Sequence, residues 1–327
     1  MSASWADFLW LLLTIFVLVW ALASALVGLV VPLMKNNKDS DKQVAAWACW
    51  IMAVTPLIAP ALATLAIIVL SLAKWLGVVA DHCLAHTGEK HLHLCLEHMP
   101  LYELSLPLKA IFASAAIFIT WRMMSVIISE WGLAKTLRAL HRIDGGRGRI
   151  IKTQSSDKLA FAAGIGRPII LLSKSLFAAL TPRQRRIVIA HEISHLRSRD
   201  CLKSFLMTLL LSIHLPSARR EIKQHWVLSR EMQADMAAAK RFGVLDVAET
   251  LVKASTLPAL KIQPSMCPMQ GSDVVLRIRN LTALNLRQDK LAILFSALLV
   301  LSSLALMVTI MKFHHTVETV ISLLSGV

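Results

Sequence analysis

The chain has 327 residues, 56% of them hydrophobic, with a mean hydropathy of +0.62. Length alone would allow two domains, but this apolar balance is that of a membrane protein and excludes an ordinary soluble globule. The formal net charge of +15 comes without aromatic interleaving or a recognisable DNA-binding motif, so direct nucleic-acid binding is not expected; attraction to an anionic inner leaflet explains it more simply.

Four apolar runs are long enough to cross a bilayer: residues 8–34, 46–73, 110–129 (with Arg122 as the one charge) and 291–311. A helical span needs about 20 such residues. The first run is too long for the apolar core of a signal peptide, lacks a basic leader, and is followed by no small-residue cleavage site, so it is read as a retained span. The segment between the first two spans carries Lys35, Lys38 and Lys42. Residues 81–106 carry Lys90 against Asp81, Glu89, Glu97 and Glu103. Residues 131–290 hold 27 of the 35 Lys and Arg against 11 of the 20 acids. The positive-inside rule then puts the Lys35 loop and 131–290 in the cytoplasm, and the N-terminus, 81–106 and the tail after His314 outside. The expected organisation is three spans in 1–130, a cytoplasmic domain in 131–290, and a fourth span with a short tail in 291–327.

The external segment is unusual. Residues 81–99 contain five of the twelve histidines and two of the five cysteines. Cys83-x-x-His86 has ligand spacing; His91, His93 and Cys95 alternate and would share one face of a strand; His98 and Met99 follow. Three readings stay open: a second zinc or a copper(I) ion held by thiolate, imidazole and thioether, a Cys83–Cys95 disulfide in an oxidising compartment, or a solvated loop without a ligand. Cys49, Cys201 and Cys267 are assigned no chemistry.

The cytoplasmic segment opens with a basic helix, Lys135 to Arg149, ending at Gly145-Gly146. Arg149–Gln154 reads as a strand. Lys158–Gly164 and Ile169–Leu172 read as a hairpin turning at Gly166-Arg167-Pro168. An edge strand here could bind an extended peptide by backbone pairing. Gly164 and Gly166 either lie near that path or serve the turn alone. Ser173 to Leu180 is a short helix. Thr181-Pro182 then supplies an N-cap and a first-turn proline for the helix that carries His191-Glu192-x-x-His195.

Residues four apart share a helix face, so both imidazoles can reach one metal ion. Glu192 stands beside them as a general base for water. Polar groups placed in an apolar helix need partners, since each unpaired one costs roughly 1–3 kcal/mol when buried. Asp200 either orients a ligand or caps the next helix. Residues 204–215 are apolar but too short to span, and form a core or membrane-surface helix. His214 and His225 are either oxyanion stabilisers or ordinary structural histidines. The only tyrosine, Tyr102, falls outside and cannot fill that role. The helix Ser229–Lys240 sets Glu231 and Asp235 four residues apart. Glu231 is the expected third ligand and Asp235 the acceptor for a ligand imidazole N–H; the alternative is a solvated acidic face. Beyond lie an amphipathic helix at 244–256, a loop at 258–272 flanking the cleft, and a basic helix at 274–286.

The run Ala160-Phe-Ala-Ala-Gly-Ile-Gly-Arg-Pro-Ile-Ile-Leu-Leu-Ser173, then His191-Glu-Ile-Ser-His195 with Arg199-Asp200, then Arg230-Glu-Met-Gln-Ala-Asp235, resembles the integral membrane metallopeptidases of the BlaR/MecR type. The resemblance implies a mostly α membrane protein: four transmembrane helices with a cytoplasmic α+β, gluzincin-like zinc domain between spans three and four. It implies one catalytic zinc on His191, His195 and Glu231, with Glu192 as base. Its substrate would be a cytoplasmic or membrane-proximal protein, such as a repressor cut in response to an external signal, perceived at the inner membrane. The antibiotic sensors of that type carry a penicillin-binding domain after the last span, where this sequence has only a short tail. The Ser71-x-x-Lys74 and Ser155-x-x-Lys158 matches are therefore taken as accidental. HtpX-type quality-control membrane proteases share the His-Glu-x-x-His and Glu-x-x-x-Asp pattern and are the nearest rival. A non-catalytic metal-binding receptor is the third alternative.

Overall fold

The computed structural model describes residues 5–35, 42–43, 46–78, 104–143, 148–154, 160–255, 266–268, 274–282, 287–288 and 290–312. The whole 81–99 stretch, with Cys83, His86, His91, His93, Cys95 and His98, lies outside them. Helices dominate, and four are long and apolar enough to cross a membrane. These are α1 (Trp5–Lys35), α2 (Ala46–Trp75), α3 (Leu106–Ile143) and α10 (Lys290–Lys312). Hydroxyls inside the apolar runs bond back to carbonyls four residues earlier, as Thr14 does to Trp10 at 2.8 Å and Thr120 to Ala116 at 2.9 Å. Such pairing lets a polar side chain sit where no water reaches.

The contacts divide the chain into two compact units. The first takes Met1–Val30, Val54–Trp121 and Leu294–Val327. Its core joins Phe8 and Leu11 of α1, Ala63, Ala66 and Ile67 of α2, Leu104 before α3, and Ile310 of α10. Large apolar side chains face outward on all four helices, among them Leu22, Leu65, Ile117 and Leu301. An outer surface of this kind is stable against hydrocarbon and aggregation-prone in water.

The second unit, Val31–Ala53 with Arg122–Ile293, is built on a four-stranded sheet. Its strands are β2 (Ile150–Thr153), β3 (Ala160–Ala163), β4 (Ile169–Ser173) and β5 (Met266–Pro268), in the order β2-β4-β3-β5. A two-residue parallel pair, β1 (Lys42–Gln43) with β6 (Arg287–Gln288), stands apart. Helices α4 (Lys174–Ala179), α5 (Pro182–Arg197), α6 (Asp200–Leu211), α7 (Pro216–Phe242), α8 (Val244–Ser255) and α9 (Val274–Thr282) complete it. Every residue of β4 is buried, the signature of a strand covered on both faces. Ile170 and Leu172 pack into a core with Ile187 and Val188 of α5, Ala238 of α7 and Leu251 of α8. Their alternates Ile169 and Leu171 pack on the opposite face against Leu133 and Leu137 of α3.

Three expectations change. The basic stretch from Lys135 does not start a separate helix: Lys135 to Ile143 continue α3, because Leu133 and Leu137, four residues apart, cover the sheet. The predicted hairpin is present as antiparallel β3–β4, with Gly164 at φ +102 and an added Cβ only 3.2 Å from Leu137 Cδ1. Turn geometry and close packing therefore account for this glycine. However, β3 is not an edge strand. Met266–Pro268, expected to be loop, pairs antiparallel with it, Ala162 opposite Cys267. The edges of the four-stranded sheet are therefore β2 and β5.

Candidate metal centre

Helix α5 begins with a complete capping box: Thr181 Oγ1 accepts from Gln184 N–H at 3.3 Å, and Gln184 Oε1 accepts from Thr181 N–H at 3.1 Å. Pro182 occupies its first turn. From there one buried stripe runs through Gln184, Ile187, Val188, His191, Glu192 and His195, a 3.6-residue period facing inward. The apolar half of the stripe anchors the helix in the core. The polar half meets α7, where Ser229, Arg230, Glu231, Met232, Ala234 and Asp235 are buried in turn.

Three ligand atoms converge where the helices meet. His191 Nε2 and His195 Nε2 are 3.1 Å apart; Glu231 lies 3.3 Å from the first and 3.4 Å from the second. Among the described residues this is the cluster of three whose geometry suits a metal ion. Zinc bonds of about 2.0–2.2 Å place tetrahedral ligands about 3.3–3.6 Å apart; the two imidazoles stand slightly closer than that, and the two-nitrogen, one-carboxylate donor set fits zinc in its chemistry. Two carboxylates hold the imidazoles from behind. His191 Nδ1 lies 3.0 Å from Asp235 Oδ1, and His195 Nδ1 lies 2.8 Å from Asp200 Oδ2. With the His195 Nδ1–H donated to Asp200 and His191 Nδ1 facing Asp235 across an ion-pair contact, each Nε2 lone pair is left for metal. Asp200 opens α6 immediately after Arg199, whose φ of 55° is the one positive value outside glycine among the described residues. This left-handed residue, which costs about 1–2 kcal/mol, ends α5 and turns Asp200 back onto His195. Asp200→Asn is expected to weaken zinc binding roughly 10–100-fold, read by competition with a chromogenic chelator; an unchanged affinity would remove the orienting role.

Glu192 is fully buried beside the ligands, and neither of its carboxylate oxygens has a partner in hydrogen-bond geometry among the described residues. Burial pushes its carboxyl up to about 7, with His191 and His195 pulling the other way. Burial also opposes charge on Glu231, but Arg277 and the two imidazoles outweigh it and hold that carboxyl well below the usual range. Asp235 is likewise held low against its burial, chiefly by Arg277. The His191 imidazole is raised because Asp235 and Glu231 outweigh its burial.

Two arginines complete this network: Arg230 opens the quoted motif run without a role assigned to it there, and Arg277 lies outside every motif. Arg230 forms an ion pair with Asp200. Arg277 of α9, 1% exposed, grips Asp235 through Nε and Nη2 at 2.7 Å each and reaches Glu231 through Nη1 at 3.2 Å. The other histidines stand elsewhere. His214 is buried with Nδ1 3.1 Å from the Leu210 carbonyl and Nε2 3.1 Å from that of Met52; burial lowers its pKa in spite of these carbonyls. His225 lines a separate cavity on α7. Neither belongs to the ligand trio of His191, His195 and Glu231, and these positions fit the alternative of ordinary structural histidines.

Among curated protein sequences none matches the chain. Residues 149–255 match the sequence model of peptidase family M48. The matched segment runs from the start of β2 to the end of α8 and contains His191, Glu192, His195, Asp200, Glu231 and Asp235, while Arg277 lies beyond it. The match makes residues 149–255 similar to the metallopeptidases of family M48, the trio within them could hold a metal ion, and four helices of the chain are long and apolar enough to cross a membrane.

Proposed function

We propose that the chain is a membrane-embedded zinc endopeptidase that cleaves a cytoplasmic or membrane-proximal protein from the cytoplasmic face. The observation that carries this reading is the convergence of His191, His195 and Glu231 within ligand distance of one another beside the fully buried carboxylate of Glu192. His191, His195 and Glu231 would hold the zinc ion, which supplies a Lewis acid for the scissile carbonyl and for water. Glu192 takes the proton of the attacking water and passes it to the leaving amine nitrogen. Asp235 and Asp200 fix the two imidazoles, and Arg277 fixes Asp235 and Glu231. Burial of the whole set excludes bulk water, which strengthens every one of these interactions.

The basic balance of 131–290 supports the cytoplasmic placement. The resemblance to the BlaR/MecR type favours a discrete substrate such as a repressor over general quality control of the HtpX kind. A comparison of cleaved proteins in cells with and without the enzyme separates these: a few defined products mark the first, broad turnover of misfolded membrane proteins the second.

The central test uses membrane vesicles. Inverted vesicles are expected to cleave an added unfolded protein, to lose that activity with a zinc chelator, and to regain it with stoichiometric Zn2+. Cleavage that survives complete zinc removal would overturn the metallopeptidase reading, and cleavage confined to right-side-out vesicles would overturn the placement.

A further inference from the structure

The second unit contains a cavity of about 840 Å³, separate from the ligand cluster, lined by α3, α6 and α7. Four cations line it, Arg122, Arg219, Arg220 and Lys223, against the one carboxylate of Glu221. Two of the cations are held in place by neutral partners: Arg122 Nε donates to the Ser212 carbonyl at 3.2 Å, and Lys223 Nζ to Thr208 Oγ1 at 3.3 Å. These bonds position the charges without cancelling them. Burial lowers the Lys223 ammonium's pKa, and the Arg219 charge lowers it further; burial and the Arg122 charge do the same to Arg219. The cations therefore repel one another in a partly desolvated space, and an anion would relieve that repulsion. Val126, Leu211, Val227 and Leu228 add an apolar wall.

The cavity's position on α3 is informative. At about 1.5 Å per residue, Arg122 lies about 10 Å before the end of the apolar run 110–129, in the half of it nearer the second unit's residues in sequence. Trp121 and Trp131 are exposed on this part of the helix, the placement of interfacial anchors. A basic pocket with an apolar wall at that depth matches a phosphate carried on an acyl chain.

We propose that this cavity is a binding site for a phosphate-bearing anion, supplied by an anionic phospholipid of the adjoining leaflet. The phosphate sits among Arg122, Arg219 and Lys223, and an acyl chain lies along Val126 and Leu211. The proposal stands independently of the peptidase reading.

The test uses the full-length protein in nanodiscs of phosphatidylcholine, with or without phosphatidylglycerol, and in detergent with inorganic phosphate. Phosphatidylglycerol is expected to remain bound through detergent exchange and to raise the unfolding temperature. Arg219→Gln and Lys223→Gln should each weaken that binding roughly tenfold or more. Arg219→Lys should retain most of it, and Lys240→Gln, an exposed cation on α7 outside the cavity, should leave it unchanged. Unaltered far-ultraviolet circular dichroism and monodisperse elution of the variants report that they fold. Stabilisation by inorganic phosphate to the same degree as by phosphatidylglycerol, with the same sensitivity to Arg219→Gln, would uphold the anion site and overturn the lipid as its source. No stabilisation by either probe, or stabilisation indifferent to both Gln variants, would overturn the site.

Discussion

Glu192→Gln should abolish peptide hydrolysis while leaving zinc bound and the fold intact. The expected loss is roughly 10²–10⁴-fold, the usual contribution of a positioned general acid–base. The substitution is nearly isosteric and spares the three ligand atoms of His191, His195 and Glu231, so metal affinity has no reason to fall. Stability should not suffer either. Burial already pushes the Glu192 carboxyl up to about 7, and exchanging a buried carboxylate for a neutral amide lowers the desolvation cost. The checks are hydrolysis of an unfolded protein by the purified enzyme, metal analysis, and a thermal melt. Hydrolysis undiminished in a zinc-loaded variant would sink the assignment of Glu192. Equal loss of zinc and activity would show instead that it serves the ligand geometry.

What the sequence revealed of this site was its local part. His191 and His195 lie four residues apart on one helix, as do Glu231 and Asp235 on another, and helical periodicity alone puts each pair on one face. The meeting of the two faces is tertiary, and the burial stripes on α5 and α7 hint at it only indirectly. Arg277 shows where local reading ends. It lies 42 positions from Asp235 on a helix that reads simply as basic. Yet one signal was present: Val274, Ile278 and Leu281 form the apolar stripe of α9 against the core, and Arg277 falls within it. A cation on the buried side of a short amphipathic helix demands a carboxylate partner.

The fold follows the same division. Four spans were legible because hydrophobic length is a sum over neighbouring residues. The end of α3 was not, since falling hydropathy marks where a helix leaves apolar surroundings rather than where it stops. Leu137 continues the helix onto the sheet. β5 was illegible for a different reason. Pro268 argues against a strand, and three residues carry no visible alternation. At the edge of a sheet, however, proline sacrifices no required hydrogen bond, and β5 is such an edge. His225 precedes Glu231 by six residues, which rotates it well away from the ligand face of the same helix.

Arg277→Met should be the most destabilising single change at the site. The guanidinium is 1% exposed and makes a two-pronged contact with Asp235 while touching Glu231. Its removal leaves two buried carboxylates facing the imidazoles with no fixed cation. Breaking a buried ion pair from one side costs about 3–5 kcal/mol, a fall in unfolding temperature on the order of 10 °C for a domain of this size. The loss should be greatest after chelation, because a bound dication would replace part of the missing charge at Glu231. Zinc affinity should fall roughly 10–100-fold, since Asp235 no longer holds His191 in one orientation. Asp235→Asn in the same chain removes the orphaned charge, so the double variant should be more stable than Arg277→Met alone, a coupling that independent sites do not show. Melting curves of the four proteins, with zinc and after chelation, provide the measurement. A single variant as stable as the parent, or a double variant whose loss equals the sum of the two, would show that Arg277 fills space at the site rather than balancing its charge.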